Sequence, residues 1–303
     1  MVTFSELVPE EKHRILICCI MGLVEPNGSS NFPNPLHHLD YEIAILEWDT
    51  VLNSKGRKVS PDLVLVDSAD NHAMVVECKS SKLEKDQIER YMDVRREDIV
   101  DWGISSTDSR QLTHDITLVA SYENSDRILA TLPQWNCVFP TLEVGMVAIT
   151  KIANNFSRDE LNRVFPVSIR LSYAPQYLYP VGRESPDHIV MELTLQTLLS
   201  KLYSSEREEF VVSLEDVIID IFPYWNEMGR EVKEKVREKI QRVIAAAGKS
   251  DTLKRYIEYH EREIKFRIPN YRNTRAVQAF ERAGAHYISN LKKQYVQKTL
   301  ENW

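Results

Sequence analysis

The sequence predicts an α/β protein: a three-layer core over residues 1–175, followed by a mainly helical domain over residues 186–303. Three observations lead there. Along the first half, short apolar runs alternate with amphipathic stretches in the order helix, two strands, helix, strand, helix, strand. Between Tyr173 and Pro186 three prolines (Pro175, Pro180, Pro186) sit among turn residues and mark a boundary. Charge also changes sign along the chain: residues 1–200 carry 18 Lys/Arg against 29 Asp/Glu, whereas residues 229–303 carry 18 against 9. At 303 residues, 27% charged and 43% hydrophobic, the chain has the profile of a soluble folded protein with two modest cores.

The apolar run Ile15 to Val24 is about half of what crosses a bilayer and follows Glu10-Glu11 rather than a basic stretch. It reads as a buried helix, neither a membrane span nor a signal peptide. Asn34-Pro35 looks like an N-cap with proline at the first helical position, predicting a helix to about Leu52 with apolar Leu39, Ile43 and Leu46. Leu63 to Val66 and Ala73 to Val76 read as strands joined by a turn-rich hexapeptide. Ser81 and Glu84 have capping-box spacing, and an amphipathic helix is expected to run to about Ile99. Ile116 to Ala120 and Val144 to Ile149 are further strand candidates, with weak helix over Asp126 to Leu132.

The hairpin carries the chemistry. Pro61-Asp62 opens its first strand and Glu77-Cys78-Lys79 closes its second, with fourteen residues between the two acids. A hairpin of that length brings its outer ends together, so Asp62, Glu77 and Lys79 converge at one edge of the sheet. Glu77 and Lys79 share a strand face while Cys78 points into the core. On the following helix Gln87 and Tyr91 are four apart and share the face nearest Lys79. This set, Pro61-Asp62, Glu77-x-Lys79 and Gln87-x-x-x-Tyr91, resembles the PD-(D/E)xK nuclease superfamily, in particular its RecB-like branch, over about residues 36 to 122.

The resemblance implies a restriction-endonuclease-like core and metal-dependent hydrolysis of phosphodiesters in DNA. Asp62, Glu77 and the Cys78 carbonyl would hold Mg²⁺ or Mn²⁺, since hard cations prefer oxygen ligands. Lys79 would orient the attacking water and stabilise charge on the phosphate, and Gln87 and Tyr91 would position substrate or water. A further acid or histidine on the first core helix is also implied; Glu42 and His38 are the candidates, and the Gly-x-x-x-His of RecB-like enzymes is missing there. The alternatives are a nuclease-fold subunit that cuts only inside a larger defence or mobile-element complex, and an RNA-directed nuclease.

In the second domain, helices are expected from about Ser185 to Tyr203, Ser213 to Tyr224 and Arg230 to Ala247. A hairpin would then pair Tyr256–Tyr259 with Ile264–Ile268. Helices followed by a hairpin outline a winged helix, and a helical bundle for a homodimer or protein partner is the other reading. A basic stretch, Arg267, Arg272, Arg275, Arg282, Lys292, Lys293 and Lys298, favours DNA contact. Tyr271, Phe280, Tyr287 and Tyr295 are interleaved with it and are expected to pack the terminal segment rather than stack on bases.

Other chemistries find little support. Cys18, Cys19, Cys78 and Cys137 lack zinc spacing and read as reduced, buried thiols of a cytoplasmic protein. There is no Walker-type glycine loop and no Gly-x-Ser-x-Gly, so a motor would be another chain. His13, His72, His114, His188, His260 and His286 show no paired metal spacing and read as surface or internally satisfied side chains.

Overall fold

The computed structural model describes residues 9–27, 32–104, 111–182 and 185–301, without the side chains of 9, 10 and 298–301. Contact clustering divides the chain into two units, Met1–Tyr179 with Asn226–Val232, and Pro180–Trp225 with Lys233–Trp303. The architecture is mixed α/β with a helical C-terminal region.

The first unit opens with α1 (Pro9–Val24), apolar from Ile15 onward. It packs on the central sheet, with Gly22 at the closest approach: a Cβ there would meet the Phe32 ring at 2.6 Å and Pro175 at 2.7 Å. A single 3-10 turn, His37–Leu39, then leads into β1 (Tyr41–Leu46), so the helix expected over residues 35–52 does not form. Leu39, Ile43 and Leu46 fit helical spacing, but Tyr41, Ile43 and Ile45 also alternate, and β1 satisfies its backbone by antiparallel pairing with β4. Asp40, at φ 59°, breaks the helical path between them.

A short ribbon, β2 (Val51–Leu52) and β3 (Lys58–Val59), precedes the hairpin β4 (Leu63–Asp67) and β5 (His72–Lys79), paired with Leu63 opposite Val76. Every residue of β4 and all of β5 but Lys79 are buried, as befits central strands covered on both faces. The expected single helix after it is two, α2 (Lys85–Met92) and α3 (Arg96–Asp101). Glu84 is the extended N-cap of α2, so the box from Ser81 is not made, and Asp98 instead accepts the Arg95 N–H at 2.8 Å to start α3.

The chain crosses over to β6 (Thr113–Ser121), parallel to β5, and through α4 (Ser125–Thr131) to β7 (Thr141–Val144), parallel to β6. The apolar run at 144–149 proved to span two strands. Gly145 donates to the Ala148 carbonyl at 2.8 Å, turning β7 into the antiparallel β8 (Ala148–Ala153). Helix α5 (Asp159–Val164) and β9 (Val167–Ser168) complete a seven-stranded mixed sheet ordered β1-β4-β5-β6-β7-β8-β9. One core cluster joins Val64, Val66, Ala73 and Val75 to Ile88, Tyr91, Ile99 and Trp102 of the α2–α3 layer. The adjacent residue Cys78 lies beside Cys19 of α1.

The second unit contains α6 (Asp187–Ser205), β10 (Glu209–Ser213), α7 (Leu214–Ile221), most of α8 (Arg230–Lys249), the hairpin β11 (Ile257–His260) and β12 (Glu263–Arg267), and α9 (Thr274–Glu301). Ser213 caps α7 by accepting the Asp216 N–H at 3.0 Å. Its three strands order β10-β12-β11, all antiparallel. Strand β10 escaped the sequence reading because Glu209–Ser213 is short and mostly exposed. Tyr271 and Phe280 are buried and Tyr287 and Tyr295 half-buried, and Phe280 makes edge contacts with Tyr256 and Phe266. Among the described residues, no helix is long and apolar enough to cross a membrane.

Candidate functional site

Main-chain pairing places Asp62 before any side chain acts. Its N–H donates to the Val76 carbonyl at 3.2 Å and its carbonyl accepts the Glu47 N–H at 2.7 Å, so Asp62 is held between the ends of β5 and β1. Its carboxylate accepts the Cys78 N–H through Oδ2 at 2.6 Å and meets His13 Nε2 through Oδ1 at 3.2 Å. Two residues along β5 from Glu77, Lys79 lies on the same strand face. Its Nζ is 2.6 Å from Glu77 Oε1 and 2.6 Å from Gln87 Oε1. Gln87 Nε2 donates to Glu77 Oε1 at 2.7 Å, and the Tyr91 hydroxyl to Oε2 at 2.5 Å. Asp62, Glu77, Lys79, Gln87 and Tyr91 are therefore linked through one end of the β4–β5 hairpin and the first two turns of α2. Residues 80–84 alone connect that strand to that helix.

The electrostatics are those of two carboxylates crowded at the edge of a core. Burial, then the Asp62 charge, lifts the Glu77 carboxyl from 4.5 to about 7, against the opposing pull of Lys79 and Tyr91. Burial and the neighbouring Glu77 likewise push the Tyr91 hydroxyl well up. For His13, burial alone would lower the pKa, but Asp62, with Glu47 and Glu77 behind it, raises it from 6.5 to about 9. An imidazolium and an ammonium thus stand on either side of the acid pair.

Two site residues escaped the sequence reading. His13 had been set aside with the other histidines, because the search for a third group fell on residues 34–52 rather than on α1. The available signal was the polar Glu11-Lys12-His13 immediately before the apolar run of a helix that packs on the hairpin. Glu47 follows β1 at φ 43°, contributes to the charge felt by His13, and accepts the Tyr179 hydroxyl at 2.7 Å. No motif marks it.

Glu42, expected as a metal ligand, is corrected by the structure. It lies exposed on β1 opposite Val66, at the far end of the strand from Leu46, which pairs beside Asp62. Its alternative, His38, is exposed on the 3-10 turn against His37. Both expectations assumed a helix where the chain forms a strand. His72 is fully buried, with Tyr41 on Nδ1 at 2.7 Å and Ser157 and Asp115 at Nε2, as a satisfied core histidine.

Of the nucleic-acid-binding candidates, Arg267 on β12 pairs with Glu258 at 3.1 Å, and Arg272 lies over the Tyr271 ring. Arg275, Lys292 and Lys293 are exposed on α9, and the Lys298 side chain lies outside the described residues.

Fold and cluster together define an α/β domain with an acid–acid–lysine site on a hairpin edge. Residues 12–179 match the model of the MJECL32 domain, and residues 189–303 that of a domain of unknown function (DUF8601). The chain belongs to the MJECL32 domain family, and the matched stretch holds every member of the cluster. The protein MJECL32 of Methanocaldococcus jannaschii, described as uncharacterized, is 27% identical over 183 residues, 55% of this chain and 40% of that protein. The chain therefore spans well under half of that relative's length. No solved structure matches it.

Proposed function

We propose that the first unit is a metal-dependent nuclease of the PD-(D/E)xK type that hydrolyses phosphodiester bonds of DNA. One observation carries this reading: Glu77 receives Lys79, Gln87 and Tyr91 while Asp62 stands beside it as a second acid. The order of helix, antiparallel strands, crossover helices and parallel strand agrees with a restriction-endonuclease-like core.

The donor set fits a hard divalent cation. Among the described residues no three His, Cys, Asp or Glu side chains form a cage, but Mg²⁺ is usually held by one or two carboxylates and keeps its remaining waters. Asp62, Glu77 and the Cys78 carbonyl would hold it, and a carboxyl lifted to about 7 by burial and a second acid gains most from a nearby cation. What a divalent cation supplies at such a site is charge neutralisation at the phosphate and a lowered pKa for water. Lys79 orients the attacking water and stabilises the developing negative charge. Gln87 and Tyr91 fix the Glu77 carboxylate, and His13 fixes Asp62.

The second unit supplies the grip on nucleic acid. Its order of helix, strand, two helices and hairpin, with β12 between β10 and β11, is that of a winged helix. Incubating the protein with Mg²⁺ or Mn²⁺ and plasmid, linear and single-stranded DNA and RNA tests the assignment, beside Asp62→Ala and Lys79→Ala. Cleavage of DNA by the wild type alone is expected. Cleavage retained by both variants would remove the site, cleavage of RNA alone would replace the substrate, and no cleavage by any sample would refute a self-sufficient nuclease.

A further inference from the structure

The positive charge of the second unit is distributed unevenly once ion pairs are considered. On α8, Arg237 pairs with Glu215 at 3.1 Å, Arg242 with Asp187 at 2.7 Å, and Lys239 donates to the Ser185 carbonyl at 2.7 Å. Exposed Glu231, Glu234 and Glu238 alternate with Lys235 along that helix. On the hairpin, Lys265 pairs with Glu209 and Arg267 with Glu258, each at 3.1 Å. The elements that a winged helix would present to DNA are thus close to neutral.

Helix α9 differs. Val277, Phe280 and Gly284 are buried and Tyr287, Ile288, Leu291 and Tyr295 half-buried, forming one packed face. At 100° per residue, Arg275, Arg282, His286, Ser289 and Lys293 fall within about 60° of one another on the opposite face. All five are exposed, and Glu281 lies off that stripe. Among the described residues, Arg275, Arg282 and Lys293 have no carboxylate partner. From Arg275 to Lys293 the stripe runs about 27 Å in a straight line.

We propose that the solvent face of α9 is a phosphate-backbone contact, with Arg275, Arg282 and Lys293 neutralising the phosphodiesters of a nucleic acid. A rod of separated, unpaired cations flanked by neutral donors (Ser289, Asn290) suits a repeating anion, whereas the aromatic rings that stack on bases lie on the packed face. Contact of this kind positions a strand without reading its sequence. The inference rests on the nuclease reading for its substrate class, and commits to α9 rather than α8 or the hairpin as the gripping element.

The test measures binding rather than cutting. In EDTA, the anisotropy of a labelled duplex of about 20 base pairs, well beyond the ~27 Å stripe at 3.4 Å per step, is followed against KCl for three full-length proteins. They are the wild type, Arg275→Gln/Arg282→Gln/Lys293→Gln, and Lys235→Gln/Lys249→Gln on α8. The triple variant is expected to keep the wild-type melting temperature while the slope of log K against log salt falls by about 3, and the α8 pair to leave the slope unchanged. An unchanged slope in the triple variant, or the loss appearing in the α8 pair instead, overturns the proposal even where the wild type cuts DNA. Loss of binding to phosphatidylserine–phosphatidylcholine vesicles with duplex binding intact overturns it in favour of a membrane contact. A triple variant that binds weakly while no sample cuts upholds the contact and refutes only the nuclease.

Discussion

Replacing Glu77 by Gln tests the site through stability as well as activity. The carboxyl is buried and its pKa climbs from 4.5 to about 7, so its ionised form is disfavoured by on the order of 3 kcal/mol relative to an exposed acid. Glutamine keeps an acceptor for Lys79 and Gln87, but it presents an amide to the Tyr91 hydroxyl and leaves Lys79 without a charged neighbour. Those losses offset about 2 kcal/mol. At pH 8 without metal the variant should therefore be more stable by about 1 kcal/mol, a melting temperature higher by about 2–4 °C for a unit of this size. The sign depends on pH. Between pH 4.5 and 7 folded Glu77 binds a proton that the unfolded chain has released, so wild-type stability falls as pH rises through that window. At pH 5 the wild type is already neutral there and the advantage disappears. His13, raised to about 9, also loses its contribution as pH climbs from 6.5 toward 9, but it does so in both proteins. Circular-dichroism melts at pH 5 and 8, with EDTA and with Mg²⁺, check this. Magnesium should stabilise the wild type at pH 8 and not the variant, in which cleavage should fall by 10³-fold or more. A variant destabilised equally at both pH values, or one that keeps the Mg²⁺ response, would refute the reasoning.

Two further outcomes follow from the same geometry. Tyr91→Phe removes the hydroxyl that stabilises ionised Glu77, which should cost about 1–3 kcal/mol in a urea titration and move the rising limb of metal-dependent cleavage to higher pH. Gly229→Ala would set a Cβ 2.6 Å from the Glu47 carbonyl and 2.7 Å from the Asp49 nitrogen, forcing the end of β1 away from Asp62. A loss of about 1–3 kcal/mol with reduced cleavage is expected, read by thermal melts and initial rates.

The hairpin, α2 and the five-residue cluster were legible because they are local: within 31 positions a strand pair and one helical turn fix which side chains meet. What went unread depended on pairing across the chain. Residues 41–46 satisfy both helical and strand periods, and only β4 alongside decides for the strand. That one misassignment drew the third ligand to Glu42 and away from His13, whose place beside Asp62 requires α1 to cover the sheet. Glu47 depends on the same pairing, through its N–H bond to Asp62. In the second unit the hairpin was visible from its alternating apolar residues. The pairing that neutralises Lys265 and Arg267 was not, because their acids lie on other strands.

The five residues that separate the end of β5 from the start of α2 act as a ruler. Each added residue would turn the helix by about 100° and advance it by about 1.5 Å, swinging Gln87 and Tyr91 off the Glu77 oxygens they now reach. Length in that connector is thus under tighter constraint than its side chains, and a one-residue insertion there should disable the site while leaving the core strands in place.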